Sequence, residues 1–379
     1  MKKHEFSNKV KDLNGSAIRE MFKMVAFPDM ISFAGGSPAK EIYPKEDLAK
    51  IASDILSKQG DVALQYGITE GYAPLIEQVK ERWGKRGIYR EGIDEVLITA
   101  GGQQALALVA KCFLNEGDTV AVENPSFIGA LNAFRSNGAK LAGVPMDDDG
   151  IRISEIPENK LLYVIPNFQN PSGITMSATK RTEILKQDTL ILEDDPYGDL
   201  RFRGEHLPSI KEQDTDGRVI YISTFSKILA PGLRVGLIIA PKDLIEKMVV
   251  CKQGEDVHTA VISQMIVSEY MKRHDLEELI EKERALYGKK YEIMREAIER
   301  HFPSDVKVTE PEGGLFLWVS GIREGIDVVD EALKAGVLVI AGKGFMANGE
   351  NVNEFRMNYS LSTPEDIETG IGLLGKVLK

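Results

Sequence analysis

The sequence predicts an α/β protein with a mainly parallel central sheet in a large domain, followed by a smaller α+β domain. Three observations predict it. Apolar, β-rich runs recur through the middle of the chain, at residues 95–99, 119–122, 140–144, 161–165, 190–192, 219–222 and 235–239. Helical stretches lie between many of them, as at 103–114 and 177–186. Near-continuous apolar strands alternating with helices belong to a parallel sheet covered on both faces. After Asp243 the texture changes to long, charged helical sequence, notably 275–300, then a strand pair near 306–309 and 314–319 and a last helix over 364–378. The elements therefore divide into an N-terminal arm (1–45), a large domain (46–284) and a small C-terminal domain (285–379) with which the arm packs. The dense charge of 275–300 reads as a solvated linker helix.

Bulk properties narrow the class. At 379 residues the chain buries a large core and length favours two domains. Forty-seven basic against 58 acidic residues leave a net charge of −11, which disfavours a nucleic-acid partner. The two cysteines, Cys112 and Cys251, are far apart and offer no disulfide framework, and none of the five histidines has a metal-ligand spacing partner, so no metal is expected. No apolar h-region follows the basic N-terminus, and runs such as 235–240 are too short to span a bilayer. A cytoplasmic protein is the expectation.

Chemistry concentrates just after the strand-like runs, where ligand sites of such sheets gather. Following 218–222 come Thr224-Phe225-Ser226-Lys227, then Pro231-Gly232-Leu233-Arg234. A lysine at a strand end, among apolar residues and near a second cation, has its ammonium form disfavoured and can serve as the neutral amine that Schiff-base chemistry requires. The hydroxyls and Arg234 suit a phosphate dianion beside it. Between a strand and a helix, Thr99-Ala100-Gly101-Gly102-Gln103-Gln104 offers a second anion cradle, with glycines that admit close approach and free amides at the helix start. Glu193-Asp194-Asp195 puts three acids at a strand end, either a solvated turn or carboxylates with a buried cationic partner. Arg356, between Phe355 and Met357, carries a fork that binds a carboxylate through two parallel hydrogen bonds, unless it is a salt-bridged surface residue.

Together these point to pyridoxal 5′-phosphate (PLP). The segment 224–234 resembles the S-x-S-K-…-G-x-R pattern of fold-type I PLP-dependent aminotransferases, classes I and II, and the remaining motifs fall in that family's order from residue 16 to 360. The resemblance implies the fold-type I transferase fold and a set of roles. Lys227 is the catalytic lysine. Gly101, Gly102, Gln103, Thr224, Ser226 and Arg234 hold the phosphate, although Gly102 stands where the family commonly has serine, leaving more to the backbone amides of 102 and 103. The D-x-x-Y spacing favours Asp194, over the adjacent Asp195, as partner of the pyridine nitrogen, with Tyr197 on the ring hydroxyl. Asn170, in Asn170-Pro171-Ser172-Gly173, contacts the phenolic oxygen and the substrate carboxylate, which Arg356 clamps. Phe127 stacks on the ring. Tyr66, in Gln65-Tyr66-Gly67, reaches the phosphate of a neighbouring subunit, which implies a homodimer with shared active sites.

The arm, with Gly15-Ser16-Ala17-Ile18-Arg19 and Gly35-Gly36-Ser37-Pro38, resembles the 2-aminoadipate and kynurenine aminotransferase subgroup. There Arg19 would meet a distal carboxylate and Gly36 would lie beside the substrate; a surface arginine is the alternative. The implied reaction moves an amino group from an L-amino acid to a 2-oxo acid, expected to be 2-oxoglutarate, with broad or 2-aminoadipate, aromatic or branched-chain specificity. A PLP-dependent β-lyase or decarboxylase would use the same residues. The effector domain of a PLP-binding transcription regulator ranks well behind, because the arm begins by about residue 15 and the chain is acidic.

Overall fold

In the computed structural model, which describes residues 6–7, 9–10, 30–323 and 327–379, the apolar runs pair into one eight-stranded sheet. After a short β1 (Ile31–Ser32), which lies outside this sheet, its strands in chain order are β2 (Asp94–Thr99), β3 (Thr119–Asn124), β4 (Lys140–Asp147), β5 (Gly150–Ile151), β6 (Leu161–Val164), β7 (Leu190–Asp194), β8 (Val219–Thr224) and β9 (Gly236–Pro241). The sheet order is β2-β9-β8-β7-β6-β3-β4-β5. The run β8-β7-β6-β3-β4 is parallel; β9 lies antiparallel to both neighbours and β5 antiparallel to β4. Every residue of β6 and β8 is buried. That explains the unbroken apolar sequence, since a strand covered on both faces has no solvent side to mark with polar residues.

The two faces are nonetheless distinct. Val122, Tyr163, Leu192 and Ile222 join the main core, whereas Ala121, Leu162, Ile191 and Val219 join a second cluster on the opposite face. Alternation along each strand therefore assigns Asp194, two residues beyond Leu192, to the same face as Tyr163. Glu193 falls on the other face. There its carboxylate accepts from Ser209 Oγ and from the Ile210 and Lys211 amides.

Beyond residue 300 come β10 (Lys307–Val308), β11 (Phe316–Ser320), β12 (Val337–Leu338), β13 (Ile340–Ala341) and β14 (Phe355–Asn358). Four of them form an antiparallel sheet in the order β10-β11-β14-β13, while β12 pairs in parallel with β1. The last helix, Pro364–Leu378, starts at a reciprocal cap between Thr363 and Asp366 with Pro364 in its first turn. The helix Leu276–His301 departs from the solvated linker expected of its charge. Leu276, Leu279, Ile280, Glu283, Tyr287, Tyr291, Met294 and Ala297 are buried on one face. These positions recur mostly at three- and four-residue steps, so most of the charged residues decorate the outer side, with Glu283 and Lys290 the buried exceptions. Phe202 stacks on Tyr291 at 5.4 Å, tying this helix to the loop after β7.

Candidate active site

The carboxyl ends of β6, β7 and β8, the start of helix Gly102–Phe113 and the centre of β14 converge on a cavity of about 290 Å³. Most residues singled out from sequence line it. At one end are Gly102, Gln103, Thr224, Ser226 and Arg234. In the middle are Phe127, Asn170, Asp194, Tyr197 and Lys227, and at the far end Gly36 and Arg356.

The first end is built for an anion. Helix Gly102–Phe113 opens with its free amides toward the cavity lining, at the positive end of its dipole. Gly101 precedes it at φ 82°, a conformation that favours glycine, and a Cβ there would lie 2.4 Å from the Arg234 guanidinium. The missing side chain is what lets Arg234 reach the Ala100 carbonyl at 3.0 Å. Thr224 Oγ1 lies 2.8 Å from Ser226 Oγ and 3.1 Å from the Val235 carbonyl, so the two hydroxyls are held together at the edge of the cavity.

The middle holds opposed titratable groups. Lys227, which follows β8, donates from Nζ to the Gly36 carbonyl at 2.7 Å. Burial, reinforced by the nearby positive charges of Arg356 and Arg234, pushes its ammonium down to about 8. Asp194, at the end of β7, accepts from the Tyr163 hydroxyl at 2.7 Å. Burial raises its carboxyl to about 7, a rise opposed by the Tyr163 hydrogen bond and by Lys227 and augmented by Asp195. The adjacent Asp195 is otherwise engaged: it accepts from Tyr221 at 3.0 Å and from Asn167 and the Gly198 amide, each at 2.9 Å. Tyr197 sits edge-on to Phe316 with its hydroxyl 3.5 Å from Asn170 Nδ2.

At the far end Arg356 is 2 % exposed and, among the described residues, forms no ion pair. Its guanidinium donates to Asn170 Oδ1 and the Ala34 carbonyl, each at 2.9 Å, while Nε has no partner. Phe316 and Phe345 flank it, the nearer ring centroid 4.2 Å from Cζ. Desolvation pulls this guanidinium down to about 10. A buried guanidinium with only neutral acceptors is a strong attractor for a carboxylate.

Tyr66 and Arg19 stand apart. Tyr66 is 82 % exposed, edge-on to His258 and outside the cavity lining. Arg19 lies outside the described residues. Sequence reading missed Phe316, the apolar floor beneath Arg356, and Tyr163, the partner of Asp194. It also missed Glu123, a fully buried acid on β3 that burial pushes up to about 8. Cys112 and Cys251, distant in sequence, are neighbours in space, both as free thiols. Among the described residues no cluster of side chains fits a metal ion, and no helix is long and apolar enough to cross a membrane.

The donor set fits PLP: an amine poised for its aldehyde, a desolvated carboxylate for its ring nitrogen, and a cradle for its phosphate. Comparison with known proteins agrees. The Aminotransferase class I and II family matches residues 28–374, and the chain belongs to it. It is 40 % identical to a 2-aminoadipate transaminase of Thermus thermophilus, over 97 % of this chain and 94 % of that one. It is 38 % identical to aromatic-amino-acid aminotransferase 1 of Thermococcus litoralis, over 99 % of this chain and 94 % of that one. The crystal structure of a Pyrococcus horikoshii kynurenine aminotransferase in complex with PMP superposes with a TM-score of 0.93, at 38 % identity, covering 98 % and 96 % of the two chains. The protein is thus a PLP-dependent aminotransferase acting on amino and 2-oxo acids, and the lyase and regulator readings are not favoured.

Proposed function

We propose that the cavity residues divide the transamination chemistry as follows. When bound, the cofactor supplies an aldehyde that carries the amino group and a ring that takes up the electrons of the substrate α-carbon. The amides of Gly102 and Gln103, next to the Gly101 turn, hold its phosphate together with Thr224, Ser226 and Arg234. Phe127 supports one face of the ring, Tyr197 and Asn170 hydrogen-bond its phenolic oxygen, and Asp194 holds a proton at its nitrogen. Arg356 receives the α-carboxylate in its fork, with Asn170 and Gly36 beside the substrate. The Lys227 amine then takes the α-proton and returns it, acting as base and then as acid. The observation that carries this reading is one cavity holding both an ion-pair-free buried guanidinium and a lysine whose ammonium is brought down to about 8. Lys227→Ala is expected to lose turnover by at least about 10²–10⁴-fold; retained turnover would refute the assignment.

The donor specificity we propose is broad, covering 2-aminoadipate, aromatic and branched-chain amino acids, with 2-oxoglutarate as acceptor. The names of the relatives support it, and so does the apolar wall of Leu106, Ile165 and Phe316. A screen of amino donors against 2-oxoglutarate tests it directly. Arg19 is proposed to meet the distal carboxylate of acidic donors. Arg19→Ala should then cut kcat/KM for glutamate and spare leucine, and equal losses on both would sink that role.

We further propose a cytoplasmic homodimer in which Tyr66 completes the partner's phosphate site. Tyr66 lies with Val62, Leu64, Ile68 and Val257 among the exposed large apolar residues, which supports an interface there. Residues 46–284 would act as the cofactor domain and 285–379 as the smaller domain. The pairing of β1 with β12 supports grouping the arm (1–45) with the latter. Sedimentation of the native protein and of Tyr66→Asp reads the assembly.

A further inference from the structure

We propose that Tyr163 is a positioning residue which, by holding one oxygen of Asp194 through its hydroxyl, keeps the shared proton on the cofactor's ring nitrogen and off the carboxylate. The inference rests on Asp194 being the partner of that nitrogen.

The geometry is specific. Tyr163 is entirely buried, in register with Val122 on β3 and Leu192 on β7, so two parallel neighbours fix its backbone. Its ring packs edge-on against Phe134 at 5.5 Å. Its hydroxyl makes one hydrogen bond among the described residues, the 2.7 Å donation to Asp194 Oδ2. Because Oδ2 is so engaged, Oδ1 is the oxygen left for the cavity that Asp194 lines. Burial and the Asp194 charge hold the Tyr163 hydroxyl well above its ordinary range, so it is a permanent donor.

A partner for a ring nitrogen has a narrow task. It must be negative enough to hold the nitrogen's proton close, yet a weaker base than the nitrogen, or it takes the proton for itself. Burial and the neighbouring Asp195 both strengthen Asp194 as a base; the Tyr163 hydrogen bond and Lys227 oppose them. The other buried acids nearby, Glu123 and Glu193, both lie on the opposite face: Glu123 accepts from the Ile165 amide and Gln169, and Glu193 from Ser209 and the Ile210 and Lys211 amides. Lys227 changes its charge during turnover, so Tyr163 is the constant influence. Without its hydroxyl the proton should pass from the ring toward Asp194, and the ring should take up electrons less well.

The test uses the holoenzyme loaded with PLP labelled with ¹⁵N at the ring nitrogen. In Tyr163→Phe the nitrogen resonance should move toward that of a neutral pyridine. Turnover should fall about 10- to 100-fold, the range expected for losing a hydrogen bond to a charged group, with KM for the amino donor within about twofold. Asp194→Asn must move the resonance in the same sense. If Asp194→Asn moves it and Tyr163→Phe does not, the Tyr163 inference is overturned while the role of Asp194 stands. If neither moves it, the reading of Asp194 is wrong. Should the phenylalanine variant not fold, 3-fluorotyrosine at position 163 keeps every contact and has a stronger donor. The resonance must then shift in the opposite sense, and no shift refutes the proposal.

Discussion

Lys227 donates from Nζ to the carbonyl oxygen of Gly36 at 2.7 Å, across 191 residues of sequence. The neighbouring carbonyls of Ala34 and Gly35 accept from Arg356 at 2.9 and 3.4 Å. One short segment therefore offers its oxygens to two of the cavity's three cations, Lys227 and Arg356, while Arg234 stands at the other end. The cations also act on each other, since the Arg356 charge helps bring the Lys227 ammonium down to about 8. Removing that charge must raise the lysine. In the apoenzyme, acetylation of Lys227 followed by mass spectrometry should titrate near 8 for the native chain and at higher pH for Arg356→Gln. An unchanged midpoint would exclude the coupling.

Arg356→Lys keeps a charge but loses the planar fork, and its neutral acceptors Asn170 and Ala34 are set for two separate nitrogens. Truncating one partner of a buried charged pair costs about 2–5 kcal/mol. The expectation is a fall in kcat/KM of about 30-fold or more for amino and 2-oxo acids alike, measured in both directions of the reaction.

Asp194 and Asp195 should separate cleanly on substitution. Asp194→Asn removes a carboxylate whose one donor among the described residues is Tyr163, so the folded chain should survive while turnover falls by at least about 10²-fold. Asp195→Asn disturbs acceptors for Tyr221, Asn167 and the Gly198 amide, so it should cost about 1–3 kcal/mol of stability. Denaturant unfolding and steady-state rates on both variants distinguish the two behaviours.

Gly102 has open space where a Cβ would point, with nothing within 4 Å. Crowding thus does not account for glycine at this position. Gly102→Ser should fit and add a hydroxyl at the phosphate end, tightening PLP about 2- to 10-fold, the worth of one ordinary hydrogen bond. Equilibrium dialysis of the cofactor checks it.

Glu283 is fully buried, and both carboxylate oxygens lack hydrogen-bond partners among the described residues. Burial, with the charge of Asp199, raises it to about 9 against an ordinary 4.5. The folded chain thus binds a proton the unfolded chain releases. The stability linked to that proton is fully present below pH 4.5 and is lost progressively as pH rises through about 9. Glu283→Gln mimics the protonated acid. It should leave the melting temperature near native at pH 5 and raise it above native at pH 9.

The sheet was legible because β6, β7 and β8 are nearly or wholly buried, so their apolar runs stand out against charged surroundings. The site was legible for a related reason: chemical residues sit just past those runs, where the topology collects them. Tyr163 and Phe316 were hidden because each sits inside a strand-like run, where an aromatic residue reads as core. Helix Leu276–His301 was misjudged because its charges outnumber its buried face, although the spacing of Leu279, Glu283, Tyr287 and Met294 carried the information. The approach of Cys112 to Cys251 depends on how helices Gly102–Phe113 and Lys242–Gln253 pack, and no local pattern reports that.

Arg356 hangs from the centre of β14, Asn170 comes from the loop after β6, and Ala34 from the segment beyond β1. Three stretches folding around different sheets must arrive together before the guanidinium has its partners. A chain with any one out of place would hold a charged group in an apolar hole and nowhere to put a carboxylate. The site therefore works as an inspection point for its own tertiary assembly: competence to hold substrate certifies that the parts have met.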